Sequence, residues 1–255
     1  MLLSMQPGII YGPVNSRRYG KSLGINLMPS RSKLCSFNCV YCQYGPTRRC
    51  TMAAEAFSDE LPPLSHVIMA VEAALLSPLE FALITFSGNG EPTIYPDFEP
   101  LVREVKRLRD KYRPEVKIAL LSNSSGSVWD NVQSVIPLID LPIMKLDAGT
   151  TEIFQAVNRP TAGVDLDDIT DTLERLPNIR LQTVLVDGNP SNSTPAAIAA
   201  WEARVAHIRP VEVHMYSIDR PVPNPHIKLV PPDRLQEIAA QVTRNTGVPV
   251  RTFGV

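Results

Sequence analysis

Three of the four cysteines fall within eight residues, Cys35-Ser-Phe-Asn-Cys39-Val-Tyr-Cys42. Thiolates with three and then two residues between them can wrap one inorganic centre, and thiolate sulfur suits iron–sulfur clusters or zinc. A structural zinc site normally closes with four protein ligands, whereas the nearest other candidates, Cys50 and His66, stand at spacings that form no usual zinc pair. A four-iron cluster held by Cys35, Cys39 and Cys42 leaves one iron open to a substrate or cofactor. Zinc stays open as an alternative, and so does a set of buried cysteines acting as small hydrophobes, although Asn38 and Gln43 give this loop no apolar face. A disulfide framework fits poorly with 4 cysteines in 255 residues and a start without a basic, apolar leader. The expectation is a protein of a reducing compartment, the cytoplasm.

The elements that must position this loop follow from periodicity. Ser22–Met28 alternates apolar Leu23, Ile25 and Leu27 with Gly24 and Asn26 and reads as a strand ending at the cysteines. Ser65–Leu76 repeats apolar residues at helical spacing, with Ser65 as N-cap. Phe81–Phe86 reads as a buried strand that ends in the glycine turn Ser87-Gly88-Asn89-Gly90-Glu91. Further helices are expected over Asp97–Lys111, Ser127–Ile136, Thr151–Val157, Asp165–Leu176, Thr194–Ile208 and Pro231–Asn245. Strands are expected over Val116–Leu121, Ile139–Asp147, Ile179–Val186 and Val211–Ser217, with Val248–Phe253 as a further short one. Strand–helix alternation with short connections implies a parallel sheet with helices outside. The expected layout is one domain: an arm over 1–20, a core over about 21–246 and a short extension over 247–255.

The cysteine spacing, with Tyr41 before the third cysteine, resembles the signature of the radical S-adenosylmethionine (SAM) superfamily at every position. The resemblance implies a partial (βα)6 TIM-like barrel, one [4Fe–4S] cluster on Cys35, Cys39 and Cys42, and SAM chelating the open iron. It implies reductive cleavage of SAM, fed by a one-electron donor such as flavodoxin or ferredoxin, to a 5′-deoxyadenosyl radical that takes hydrogen from the substrate. Gly88, Gly90 and Glu91 match the turn that cups the amino end of SAM in that family, and Ser122 and Asn123 stand where the ribose is contacted; Tyr41 belongs to the same cofactor set. The stretches Gly12–Arg18, Gly24–Leu27 and Cys42–Gly45, then Leu146–Gly149 and Asn158–Pro160, resemble a branch grouped with the tRNA wyosine-base synthases.

In that fold, helices cover the outer sheet face, so alternate polar residues should line the lumen. Lys145 and Asp147 share one face of their strand, and Glu212, His214 and Tyr216 share one face of theirs. Lys145 is expected to pair with Asp147 or Glu212, Asp147 to orient substrate, and Lys145, Glu212 and His214 to support it; the alternative is a purely structural ion-pair layer. Arg17 and Arg18 could grip an anion or form a solvated pair, and Asn158 and Arg159 join them as candidate substrate contacts. Lys+Arg 25 against Asp+Glu 26 leaves a net charge of −1, which gives no general attraction to nucleic acid. A small molecule or limited macromolecular segment is therefore the expected substrate. The cations Arg17, Arg18, Arg48 and Arg49 near the loop keep tRNA as the second choice. A reading of another class is a non-catalytic binding module stabilised by a metal. No apolar run approaches the roughly 20 residues that span a bilayer, so no membrane partner is expected.

Overall fold

A computed structural model of the chain describes residues 2–16, the side chain of Ser16 aside, and 19–254. Arg17 and Arg18 lie outside the described residues. In chain order the elements are β1 (Ile10–Ser16), β2 (Gly20–Ile25), β3 (Leu34–Cys35), β4 (Arg49–Cys50), α1 (Leu64–Leu76), β5 (Leu83–Phe86), α2 (Phe98–Tyr112) and β6 (Lys117–Ser122). There follow α3 (Asp130–Gln133), β7 (Leu141–Lys145), α4 (Thr151–Val157), α5 (Leu166–Arg175), β8 (Arg180–Gly188), α6 (Pro195–Ile208), β9 (Val213–Ser217), β10 (Ile227–Leu229), α7 (Pro232–Thr246) and β11 (Val250–Thr252).

The main sheet runs in the order β1-β2-β5-β6-β7-β8-β9-β11. From β2 to β11 every neighbour is parallel, so the architecture is an α/β partial barrel with one parallel strand beyond the six counted from periodicity. That strand is β11, paired with β9. The arm expected before the first strand is itself a strand: β1 folds back antiparallel on β2, with Ile10 opposite Ile25. Turn formers such as Gly12 and Pro13 concealed it, because an edge strand needs a ladder on one side only.

Period-two alternation sorts the two faces of the sheet. Ile84 and Phe86 of β5, with Ile118 and Leu120 of β6, point outward into the main core against Val67 and Val71 of α1 and Phe98, Leu101 and Val105 of α2. Leu83, Ala119 and Leu141 point inward and form a separate small cluster with Tyr19. The helix α1 starts at Leu64, one residue before the expected cap Ser65, and no side chain caps it. A missing cap costs about 1 kcal/mol, while each fully buried Val or Leu contributes roughly 1.5–3 kcal/mol, so burial of Val67, Val71 and Leu75 decides in favour of helix. The helix expected over Ser127–Ile136 is broken into 3-10 turns at Ser125–Val128 and Ile136–Leu138 around the four-residue α3. Trp129 is extended between the first two pieces, and Pro137 has no N–H to continue a helix.

The turn after β7 is held by α6. Trp201 Nε1 donates to the Leu146 carbonyl at 3.0 Å, and Arg204 Nε donates to that of Gly149 at 2.6 Å. A Cβ on Gly149 would lie 2.1 Å from the Trp201 nitrogen and 2.2 Å from the Ala200 carbonyl carbon, both backbone atoms that no rotamer change moves aside. Gly149→Ala should therefore cost about 1–3 kcal/mol, read as a lower denaturant midpoint; an unchanged midpoint would show that α6 is free to shift away from the turn.

Candidate iron–sulfur site

The cysteine loop leaves the sheet just past β2 and is gripped on both sides. Before it, Leu34 bridges to Gly90 of the glycine turn, with its N–H donating to the Asn89 carbonyl at 3.2 Å and its carbonyl accepting from Glu91 N–H at 3.3 Å. The approach is so close that a Cβ on Gly90 would stand 1.6 Å from the Leu34 oxygen, and Gly88 has φ +120°, in the region that favours glycine. On the other side lie residues 157–161. Val40 N–H donates to the Val157 carbonyl at 2.9 Å, Asn38 N–H to that of Asn158 at 3.1 Å, and Thr161 N–H to that of Ser36 at 2.9 Å. Phe37 packs edge-on against Phe154 at 5.3 Å. The buried Lys33 closes the loop's exit, donating from Nζ to the Gly45 carbonyl at 2.5 Å.

Within this grip Cys39 is buried and Cys35 and Cys42 are half-buried. Burial pushes the Cys39 thiol up to about 11, with the Lys145 charge opposing the rise, and burial drives Cys35 higher still, helped by nearby Glu91. Neutral thiols are thus favoured until a cation compensates the lost hydration. Two side-chain amides aim at these sulfurs: Asn123 Nδ2 lies 3.5 Å from Cys35 Sγ, and Asn158 Nδ2 lies 3.6 Å from Cys39 Sγ. Soft sulfur donors, charge-seeking surroundings and sulfur-directed N–H groups fit an iron–sulfur centre. Among the described residues no three His, Cys, Asp or Glu side chains converge as ligands of one ion do; a cluster offers each thiolate its own iron, and so takes sulfurs that stand apart.

The Asp147 carboxylate anchors the inner wall. Its side chain is fully buried and accepts from Tyr41 Oη, from Asn158 Nδ2 at 2.6 Å and from Val184 N–H at 2.8 Å. Lys145 Nζ stands 3.8 Å from Asp147 Oδ2 and 5.2 Å from the centre of the Tyr41 ring. Burial alone would lower the Lys145 pKa, but Asp147 holds it well above its ordinary value, so Lys145 stays charged. Burial and the Asp147 charge likewise hold the Tyr41 hydroxyl neutral. Asp147 therefore touches the protein's own donors, and its present geometry positions Tyr41 and Asn158.

The glycine-turn residues form a second network. The Glu91 carboxylate, whose pKa burial raises against its hydrogen bonds, accepts from Thr93 N–H, Thr93 Oγ1 at 2.7 Å, Ser122 Oγ at 2.8 Å and Asn123 N–H at 2.5 Å. Glu91, Ser122 and Asn123 are thus brought together beside Cys35: the Glu91 carboxylate binds the Ser122 hydroxyl and the Asn123 backbone, which leaves the Asn123 side chain to Ser36 and Cys35. Arg159 is exposed, and its carbonyl accepts from Asn38 N–H.

Glu212 and His214 lie elsewhere, which corrects the expectation of one polar set with Lys145. Glu212 precedes β9 and pairs with Arg180 at 3.1 Å, Arg251 at 3.1 Å and His214 at 3.1 Å, at the end of the barrel where strands begin. His214 also meets the Tyr19 hydroxyl at 3.3 Å and the Phe253 ring at 5.0 Å. Alternation reports the face of a strand and not the partner a side chain finds there: by register Lys145, Gln182 and His214 lie in one row, yet His214 turns to Glu212 and Lys145 to Asp147. A cavity of about 150 Å³ is lined by Tyr11, Gly24, Thr85, Ser87, Leu121 and Ile143 among others. Sequence reasoning missed Lys33 and Asn192; the latter, buried, donates to the Asp147 carbonyl at 2.7 Å and that of Val184 at 2.9 Å. A polar residue in a loop carries no local signal of such a distant partner.

With the site described, comparison with known proteins adds the family. The radical SAM superfamily model matches residues 30–199. The chain is 30% identical over 267 residues to a UPF0026 protein of Synechocystis sp., covering 95% of each. It is 34% identical over 165 residues to a protein of Brachyspira hyodysenteriae named GTPase Obg, covering 64% of this chain but only 22% of that protein. Among solved structures, a radical SAM methyltransferase from Sphaerobacter thermophilus superposes with a TM-score of 0.65 at 14% identity, covering 91% of this chain and 66% of the other. TYW1 with a lysine-pyruvate adduct bound superposes with a TM-score of 0.55 at 15% identity, covering 88% and 74%. At such identities the structures share the fold. Among the described residues no helix is long and apolar enough to cross a membrane.

Two measurements test these assignments. Asp147→Ala strands Lys145 and three buried donors, so it should cost about 3–5 kcal/mol in denaturant unfolding; a loss below about 1 kcal/mol would remove Asp147 as the anchor. Burial alone would raise Glu212, but His214, Arg251 and Arg180 hold it below its ordinary 4.5. A lowered carboxyl contributes stability that is present above pH 4.5 and is lost as pH falls through the folded-state value. The thermal midpoint of Glu212→Gln should accordingly vary less with pH below 4.5 than that of the wild type, and parallel curves would exclude this linkage.

Proposed function

Because the chain belongs to the radical SAM superfamily, we propose that it is an iron–sulfur enzyme in which Cys35, Cys39 and Cys42 hold a [4Fe–4S] cluster and the remaining iron takes SAM. The observation that carries this reading is the loop itself: three cysteines beyond a strand's C-terminal end, the end where α/β barrels put their chemistry, set between the glycine turn and residues 157–161. When bound and reduced by a donor such as flavodoxin or ferredoxin, the cluster supplies the electron that cleaves SAM to methionine and a 5′-deoxyadenosyl radical, which takes hydrogen from the substrate.

The chain's own residues hold the parts in place. The turn of Gly88 and Gly90 would face the amino end of SAM, and its missing Cβ atoms let it close onto the Asn26 side chain and the Leu34 carbonyl. Glu91 fixes the backbone of Asn123 and the hydroxyl of Ser122, which shapes the edge where the ribose would lie. Lys145 keeps a fixed positive charge beside Cys39, opposing the rise that burial causes in that thiol. The lumen cavity of about 150 Å³ suits a small molecule or the tip of a larger one. A tRNA-length surface is less well supported, since Arg49 near the loop is already paired with Glu60 and lies over the Phe57 ring.

Anaerobic reconstitution with iron and sulfide, then incubation with SAM and dithionite, should yield 5′-deoxyadenosine, and the cluster's electron paramagnetic resonance signal should change when SAM is added. Replacing any one of Cys35, Cys39 and Cys42 by Ala should abolish both, whereas Cys50→Ala should retain them. A bound zinc, or a cluster signal unmoved by SAM, would favour the non-catalytic metal-stabilised module instead.

A further inference from the structure

We propose that Asn123 and Asn158 are positioning residues for electron transfer: their side-chain amides hydrogen-bond the sulfurs of Cys35 and Cys39 and so set how readily the cluster on those cysteines accepts an electron. The inference rests on the iron–sulfur reading above. The two asparagines stand 88 and 119 residues from the cysteines they meet, on opposite walls of the site, so neither contact is a by-product of a shared turn.

Each amide is held by a separate network that aims its hydrogens at sulfur. Asn123 accepts from Ser125 N–H at 2.9 Å through Oδ1 and donates through Nδ2 to Ser36 Oγ at 2.8 Å, which leaves its remaining hydrogen for Cys35. Asn158 faces three acceptors with one NH2 group: Asp147 Oδ2 at 2.6 Å, Tyr41 Oη at 3.2 Å and Cys39 Sγ at 3.6 Å. The amide orientation is fixed, because turning it over would set its carbonyl against the Asp147 carboxylate. Its Oδ1 is buried with no hydrogen-bond partner among the described residues. A buried amide carbonyl left bare costs stability, and a residue that served packing alone would lose that cost as leucine. Asn158 is thus placed for its donors.

The consequence for the cluster follows from charge. Adding an electron makes the cluster and its sulfurs more negative, and an N–H aimed at a sulfur stabilises the more negative state more strongly, most of all where water is excluded. Both donors therefore raise the midpoint potential, and removing either lowers it. A role in packing alone leaves the potential unchanged once the cluster is in place.

The test compares anaerobically reconstituted wild type, Asn123→Leu, Asn158→Leu and the double variant, reading iron per chain and the cluster midpoint potential in a redox titration followed by electron paramagnetic resonance. Expected are wild-type iron content in each single variant, a midpoint shifted to more negative potential in each, and a larger shift in the double. A single variant with full iron and an unshifted midpoint overturns the assignment for that residue. Should a variant fail to fold or load iron, reduced wild-type protein carrying asparagine labelled with ¹⁵N only at the side-chain amide decides: pulsed resonance should detect coupling of that nitrogen to the cluster, and no coupling overturns the proposal. Wild type that loads no cluster and forms no 5′-deoxyadenosine instead overturns the enzyme reading, whereas wild type that does both while the midpoints stay fixed overturns this inference alone.

Discussion

One buried carboxylate sets the inner wall of the site. Asp147 has left water completely, and an ionised group in that position persists only when paired and hydrogen-bonded. Its partners come from four parts of the chain: Lys145 at the end of β7, Val184 on β8, Tyr41 in the cysteine loop and Asn158 after α4. The need to satisfy this one group therefore draws a sheet end, a loop and a helix end to a single point. Asn192 and Trp201 extend the same constraint outward by bonding the carbonyls of Asp147 and Leu146.

The cysteine loop is organised by the opposite need. The Cys35 and Cys39 thiols lie where thiolates are disfavoured by burial, so the surroundings supply what a charged sulfur lacks: the ammonium of Lys145 and the amides of Asn123 and Asn158. The backbone contacts to the glycine turn and to residues 157–161 do not supply charge. They fix where the loop lies, so that side-chain groups from β6, β7 and the α4 end meet it. Glu91 belongs to this scaffolding, since it binds Ser122 and Asn123 and thereby ties one sulfur donor to the turn expected at the amino end of SAM.

Within the barrel the polar residues divide into two clusters. Glu212, which precedes β9, pairs with Arg180, Arg251 and His214, and Lys145 pairs with Asp147 where β7 ends. One is an ion-pair network on the fold's floor, and the other borders the cysteines.

What the sequence determined by itself is what short-range spacing encodes. Three cysteines in eight residues, a glycine turn after an apolar run and alternating strand and helix periods are contiguous patterns, so the parallel sheet, its outer helices and the place of the cysteines were all legible. The meeting of Lys145 with Asp147 was legible too, because successive side chains on a strand must alternate. The hairpin partner of β2 was hidden, since an edge strand tolerates turn formers. The tertiary structure decided which distant side chains meet: Asn123 with Cys35, Asn158 with Cys39, Asp147 with Tyr41, and Glu212 with Arg251 in place of Lys145. Periodicity carries a direction but neither a height nor a partner. Those depend on strand register and on how each connection packs over its neighbours, and they are settled only when every buried polar group must find its bond at once.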